Sequence, residues 1–149
     1  MFGNKIIYKI EIEKFFPDIE VFQQACPIWV PLIENGEYDT EGAEFFIKKY
    51  ADQLMQLSPD IDTVVLACTH YPILKSKIEE VLPDNVKVIS QGGLVATALK
   101  SYLSRHPEME EQCEKGGEIK FFTTDSASEF DYLGGVFFGE QLQSKQINL

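Results

Sequence analysis

Apolar residues recur along this chain in two rhythms that take turns. Ala43, Phe46, Ile47, Tyr50, Leu54 and Leu57 fall at steps of three and four through a segment rich in helix formers, which predicts an amphipathic helix capped by Thr40. Ser58-Pro59-Asp60 breaks it. Residues 61–67 are then short and mostly apolar, as a strand buried on both faces of a parallel sheet would be. Pro72 suits the first turn of a second helix, whose Leu74, Ile78, Val81 and Leu82 share one side. Residues 86–89 read as another strand, Gly92-Gly93 punctuates, and Leu94, Val95, Ala98, Leu99, Tyr102 and Leu103 make a third helical stripe.

The flanking regions read less evenly. Residues 6–16 fit a helix, although Tyr8, Ile10 and Ile12 also alternate. Residues 19–23 are β-rich and predict a strand that enters a loop at Ala25-Cys26-Pro27. The almost wholly apolar residues 28–33 close on the acidic turn Glu34-Asn35-Gly36-Glu37, so a buried approach brings a carboxylate to an edge. Residues 104–117 form a polar surface connection, 119–123 a strand, and Ser126-x-x-Glu129 a capping box that opens a helix with Phe130, Leu133 and Phe137 inward. Residues 141–149 are expected to fray. Strands and helices alternating in this order predict an α/β fold, layered on a mainly parallel sheet with right-handed crossovers.

Composition narrows the function. At 149 residues and 44% apolar, the chain has the size and make-up of a globular domain, with no run approaching the roughly 20 apolar residues of a membrane span. Twenty-four acidic against 13 basic side chains give a net charge of -11 and a pI near 4.6, which repels phosphate backbones and anionic lipid. Nucleic acid and membranes are therefore not expected partners. The three cysteines are odd in number and lack Cys-x-x-Cys spacing, and no secretory leader precedes them, which fits a reducing cytoplasm. Cys26, Cys68, Cys113, His70 and His106 are too scattered to predict a metal site.

Chemistry concentrates at one place. Val64-Val65-Leu66-Ala67 leads into Cys68-Thr69-His70-Tyr71-Pro72, so a thiol, a hydroxyl and an imidazole follow a buried strand and precede a proline-started helix. Ligands of open α/β folds bind at that carboxyl edge. A helix start there would supply amide donors and a partial positive charge, favouring a carboxylate ligand and a thiolate. In an extended backbone, Cys68 and His70 would share one face about 7 Å apart. A cysteine after a buried strand also serves simply as a small core residue, and packing is the expected role of Cys26 beside Pro27. Cys113 and His106 read as loop residues, and Glu34 as a turn carboxylate placed where a catalytic acid would be carried.

The strings Ala25-Cys26-Pro27-Ile28-Trp29-Val30-Pro31-Leu32-Ile33-Glu34-Asn35-Gly36 and Leu66-Ala67-Cys68-Thr69-His70-Tyr71-Pro72 resemble glutamate racemase, of the aspartate/glutamate racemase superfamily. Val88-Ile89-Ser90-Gln91-Gly92 and Phe121-Phe122-Thr123-Thr124-Asp125 are similar to later family segments. The resemblance implies interconversion of L- and D-glutamate without a cofactor, supplying D-glutamate for bacterial peptidoglycan, with two cysteines on opposite faces of the substrate. It implies that Cys68 is the second of these thiols, that His70 and Glu34 assist it, and that Thr69 binds the substrate's carboxylate or amino group.

The family's Asp-Ser-Gly, Pro-Tyr-Gly and Cys-Asn-Thr segments, the last holding the first cysteine, do not occur in this sequence, and Met1-Phe2-Gly3-Asn4 stands where a Gly-Thr segment is usual. The resemblance therefore implies a C-terminal portion without racemase activity of its own. Residues 1–90 resemble most of a second lobe, and 91–149 the returning helices and strand of a first. Apolar faces left uncovered on the 94–103 helix and the Phe121-Phe122 strand predict a homo-oligomer. An aspartate racemase, or a non-catalytic interaction remnant, are the competing expectations.

Overall fold

The structure is a computed structural model that describes residues 7–148. Ile6 and Leu149, the outer limits of two sequence expectations, lie outside that range. The chain is a mixed α/β protein dividing into two compact units, residues 1–89 and 90–149.

In the first unit, α1 (Ile7–Phe15) is the expected helix. Residues 19–26, expected to include a strand, run without secondary structure. They have the side chains of a strand but no ladder neighbour, and β propensity alone does not close a ladder. The apolar run after them is helical, α2 (Trp29–Glu34), with Trp29 and Ile33 buried. Next come α3 (Glu41–Met55), whose cap Thr40 accepts from the Ala43 amide, and β1 (Thr63–Leu66). A four-residue 3-10 turn, Tyr71–Leu74, with Pro72 in its opening positions, passes into α4 (Lys75–Val81). β2 (Lys87–Ser90) then pairs with β1.

Periodicity explains the core. The inward positions of α3 meet those of α2 and α4, so Ile33, Ile47, Leu74 and Ile78 are fully buried, and Leu66 and Val88 cover them from the strands. Each such aliphatic side chain contributes about 1.5–3 kcal/mol through burial. Trp29 sits edge-on to Tyr71 at 4.8 Å and to Tyr50 at 5.9 Å, locking α2 to α3 and to the turn after β1. Outside the core, Lys77 pairs with Asp39 at 2.8 Å and Glu44 at 3.4 Å. These carboxylates hold the lysine's pKa above its ordinary value, and the lysine lowers that of Asp39.

The second unit is built differently. α5 (Gln91–Arg105) takes Gly92 and Gly93 inside its first turn rather than ending at them, and buries no side chain. The polar connection contains a short helix, α6 (Pro107–Glu110). β3 (Phe121–Thr123) pairs in parallel with β4 (Ser144–Gln146), register Phe121 to Ser144, so the tail expected to fray is a strand. Two bonds explain why. Ser144 N donates to Asp131 Oδ1 at 2.8 Å, and Ile147 N to Thr123 O at 2.8 Å.

Leu142 is buried against α7 (Ala127–Phe138), where a Cβ at Gly134 would stand 2.6 Å from its Cδ1. Ser126 caps α7 as its sequence predicts, and Gly139, at φ +84°, ends it in the left-handed conformation. The described sheets are two pairs, β1-β2 and β3-β4, one in each unit.

Candidate active site

The site lies in the first unit, where β1 ends. Leu66 anchors the strand in the core, and the backbone then turns instead of extending through Cys68. Tyr71 N donates to Cys68 O at 3.3 Å and Ile73 N to His70 O at 3.2 Å. The turn brings Cys68 Sγ to 3.9 Å from His70 Nδ1, within hydrogen-bonding reach for sulfur and much closer than an extended strand would allow. Thr69 Oγ1 stands 3.5 Å from the same nitrogen and is exposed. The next element is a short 3-10 turn, so the expected helix dipole at Cys68 is reduced to one turn of aligned amides.

Glu34 arrives from the other direction. It is the last residue of α2, whose buried Trp29 and Ile33 fix the helix, and it is followed by Gly36 at φ +74°, which lets the chain reverse. Its Oε1 lies 3.2 Å from His70 Nε2. Carboxylate, imidazole and thiol therefore stand in line. With the Nε2–H directed at Glu34, His70 Nδ1 is left as an acceptor for the Cys68 thiol, the tautomer this contact favours. Such a line can take a proton from the thiol and return it. The sulfur itself is half-buried, neither sealed in the core nor fully in water.

The other thiols have different surroundings. Cys26 is buried, its Sγ 3.8 Å from Gln24 O, and burial pushes its pKa up to about 12. It stays a protonated packing residue at neutral pH. Cys113 is exposed in the second unit, near Met109 O at 3.5 Å, and His106 stacks on Tyr102. Among the described residues no group of three or more metal-ligating side chains comes together.

Sequence spacing gave no reason to single out Tyr71. Its amide holds Cys68 O, its hydroxyl donates to Cys26 O at 3.4 Å, and its ring packs on Trp29, so it ties the thiol's turn to the segment leading into α2. Burial, reinforced by the negative charge that Cys26 and then Cys68 would carry, pushes its pKa up to about 12. An aromatic side chain beside a helix-starting proline was the available signal.

No protein-family model matches the chain. Individual relatives do. It is 34% identical over 132 residues to a glutamate racemase of Sulfurihydrogenibium sp., covering 89% of this chain and 46% of that protein. It is 35% identical over 137 residues to one from Thermoanaerobacter sp., covering 92% and 50%. Glutamate racemase from Francisella tularensis, solved in complex with D-glutamate, superposes with a TM-score of 0.80 at 29% identity, covering 95% of this chain and 52% of that one. The isoform RacE1 of Bacillus anthracis gives 0.79 at the same identity. The chain spans about half the length of the curated relatives it matches. It is homologous to the glutamate racemases, and the match fits a C-terminal portion of them.

Proposed function

We propose that this chain carries one proton-handling face of a cofactor-independent glutamate racemase, with Cys68 as the acid/base. The supporting observation is the line from Glu34 through His70 to Cys68. Inverting an α-carbon needs a base on one face and an acid on the other. On this reading the Cys68 thiolate removes the α-proton from one enantiomer, or its thiol returns one to the carbanion. His70 holds the exchanging proton at Nδ1 under the influence of Glu34, and the exposed Thr69 hydroxyl binds the substrate carboxylate or amino group. D-glutamate made in this way would feed peptidoglycan synthesis in a bacterial cytoplasm.

The opposite face needs a second thiol. Cys26 does not supply it, because its sulfur is buried in the core, directed at Gln24 O, where no substrate reaches it. These 149 residues alone are therefore proposed not to racemise glutamate. The test is alkylation of Cys68 by iodoacetamide, followed by mass spectrometry with and without D-glutamate, beside a chiral assay of the amino acid. D-glutamate should protect Cys68, His70→Asn should slow its alkylation about tenfold, and no inversion should be seen. Alkylation indifferent to both glutamate and His70 would sink the reading, and inversion by the chain alone would sink its one-faced part.

A second reading, a non-catalytic interaction module, is favoured by α5, which buries no side chain over 15 residues. Cys68 would then alkylate at the same rate with or without glutamate.

A further inference from the structure

We propose that Tyr71 is a positioning residue for the line from Glu34 through His70 to Cys68, a brace that holds the thiol's turn and the carboxylate's helix at a fixed separation. The proposal rests on the acid/base reading of Cys68 and accounts for the register of its three groups. They come from two segments far apart in sequence, Cys68 and His70 from the turn after β1 and Glu34 from the end of α2. Something must join the two. α2 has only six residues, about 9 Å, and a helix so short does not hold its own place, so its far end lies where its first turn is pinned.

Three contacts of Tyr71 meet that need. Its amide donates to Cys68 O at 3.3 Å, which closes the turn that brings Cys68 Sγ to 3.9 Å from His70 Nδ1. Its ring stands edge-on at 4.8 Å to Trp29, the first residue of α2, and that indole is buried, with no room to slide. Its hydroxyl donates to Cys26 O at 3.4 Å, a carbonyl that also accepts the Trp29 amide at 3.2 Å where α2 opens. The main chain of Tyr71 thus binds the thiol's turn, and its side chain binds the helix that ends in Glu34. His70 is its neighbour in sequence, so the 3.2 Å between His70 Nε2 and Glu34 Oε1 is the gap that the brace sets. The contacts are unequal. A hydroxyl bond of 3.4 Å is long and weak, whereas the ring fills the space beside Trp29 and is the main strut. Removing the hydroxyl alone still leaves Cys26 O its bond from the Trp29 amide, so Tyr71→Phe should keep the fold.

The histidines report the outcome without turnover. The chain has two, and their contacts favour opposite tautomers: Nε2–H at His70, facing Glu34, and Nδ1–H at His106, which donates to Tyr102 O at 2.8 Å. Long-range proton–nitrogen NMR spectra of the full chain carrying isotope-labelled histidine, at a pH that leaves both rings neutral, separate them, with His106 as internal reference. Tyr71→Leu should turn His70 into a mixture of tautomers, leave His106 unchanged, and slow alkylation of Cys68 by iodoacetamide about tenfold. Glu34→Gln, which by itself should slow it by a similar factor, should add nothing in the Tyr71→Leu background, because the carboxylate is already out of place. Tyr71→Phe should restore the single tautomer and all but about threefold of the rate, the worth of a weak hydrogen bond. Tyr8→Phe is the control, since it removes a hydroxyl bond to Ala67 O at 3.3 Å, also at the end of β1, that does not involve α2, and it should change neither readout. Should Tyr71→Leu not fold, the small deficit of Tyr71→Phe should vanish in the Glu34→Gln background. A single His70 tautomer in Tyr71→Leu, effects of Tyr71 and Glu34 substitutions that multiply, or an equal loss in Tyr8→Phe would each overturn the proposal. Such a failure is distinct from that of the racemase reading, which turns on protection of Cys68 by D-glutamate in the wild-type chain.

Discussion

The two units solve the same problem of burying apolar side chains with unequal success. Of the fifteen buried apolar side chains among the described residues, only Leu142 lies beyond residue 89. The first unit sandwiches α3 between α2 and α4 and closes the strands over them. The second has a lower share of apolar residues, and of those it has, Leu94, Val95, Leu99, Phe122 and Tyr132 remain more than half exposed. Amphipathic patterning is present in both α3 and α5 and stronger in α3, and pattern alone does not make a core: it needs a partner surface of matching period.

The largest test of that contrast is in α3. Ile47 is fully buried, so Ile47→Ala should cost about 2–5 kcal/mol by lost transfer and cavity formation. Leu99→Ala on α5, at a side chain 55% exposed, should stay within about 0.5 kcal/mol. Urea denaturation of both variants measures the difference, and equal costs would mean that α5 is covered in solution.

Alkaline pH should also separate the units. Burial raises the Cys26 thiol from its ordinary 9.0 to about 12 and Tyr71 from 10.0 to about 12. Both groups hold their protons more tightly when folded, so the stability they contribute is fully present below the unfolded values and is lost as pH rises through the folded ones. Between about pH 9 and 12, stability should fall as pH rises, each group contributing well under the limit of about 1.4 kcal/mol per pH unit because solvent screens part of the effect. Cys26→Ala should flatten the start of that fall in a urea series run at each pH. An unchanged slope would break the assignment to the first unit's interior.

What the sequence made legible was local. The Thr40 cap, the α3 stripe, the strand before Cys68 and the Ser126 cap all depend on neighbours within a turn or two, and all form where expected. The misreadings were questions of partnership. Residues 19–23 have strand chemistry and no ladder, whereas Ser144–Gln146 have little strand chemistry and acquire one from β3. The site divides in the same way. Cys68, Thr69 and His70 were visible as one string, but the approach of Glu34 to His70 at 3.2 Å depends on how α2 packs through Trp29 and Ile33, which spacing does not encode. The extended-strand estimate for Cys68 and His70 failed because the chain turns directly after Ala67.

The smallest expected effect on stability carries the sharpest information about the second unit. Leu94 and Val95, each 62% exposed, and Leu99 lie along α5 with no covering side chain of sufficient apolar area. Water is then their neighbour, unless a second copy of the chain replaces it. A patch of this kind favours self-association, opposed here by a net charge of -11. Light scattering on the full chain should therefore give a mass above that of a monomer, increasingly so as salt screens the charge. Leu94→Lys/Leu99→Lys should return it to the monomer while moving the urea midpoint little, because side chains that touch only solvent in the monomer contribute little to its folding. A monomer at high salt would show that α5 tolerates its exposure. A large midpoint shift in the double variant would show instead that its apolar face packs within the chain, and the contrast between the two units would disappear.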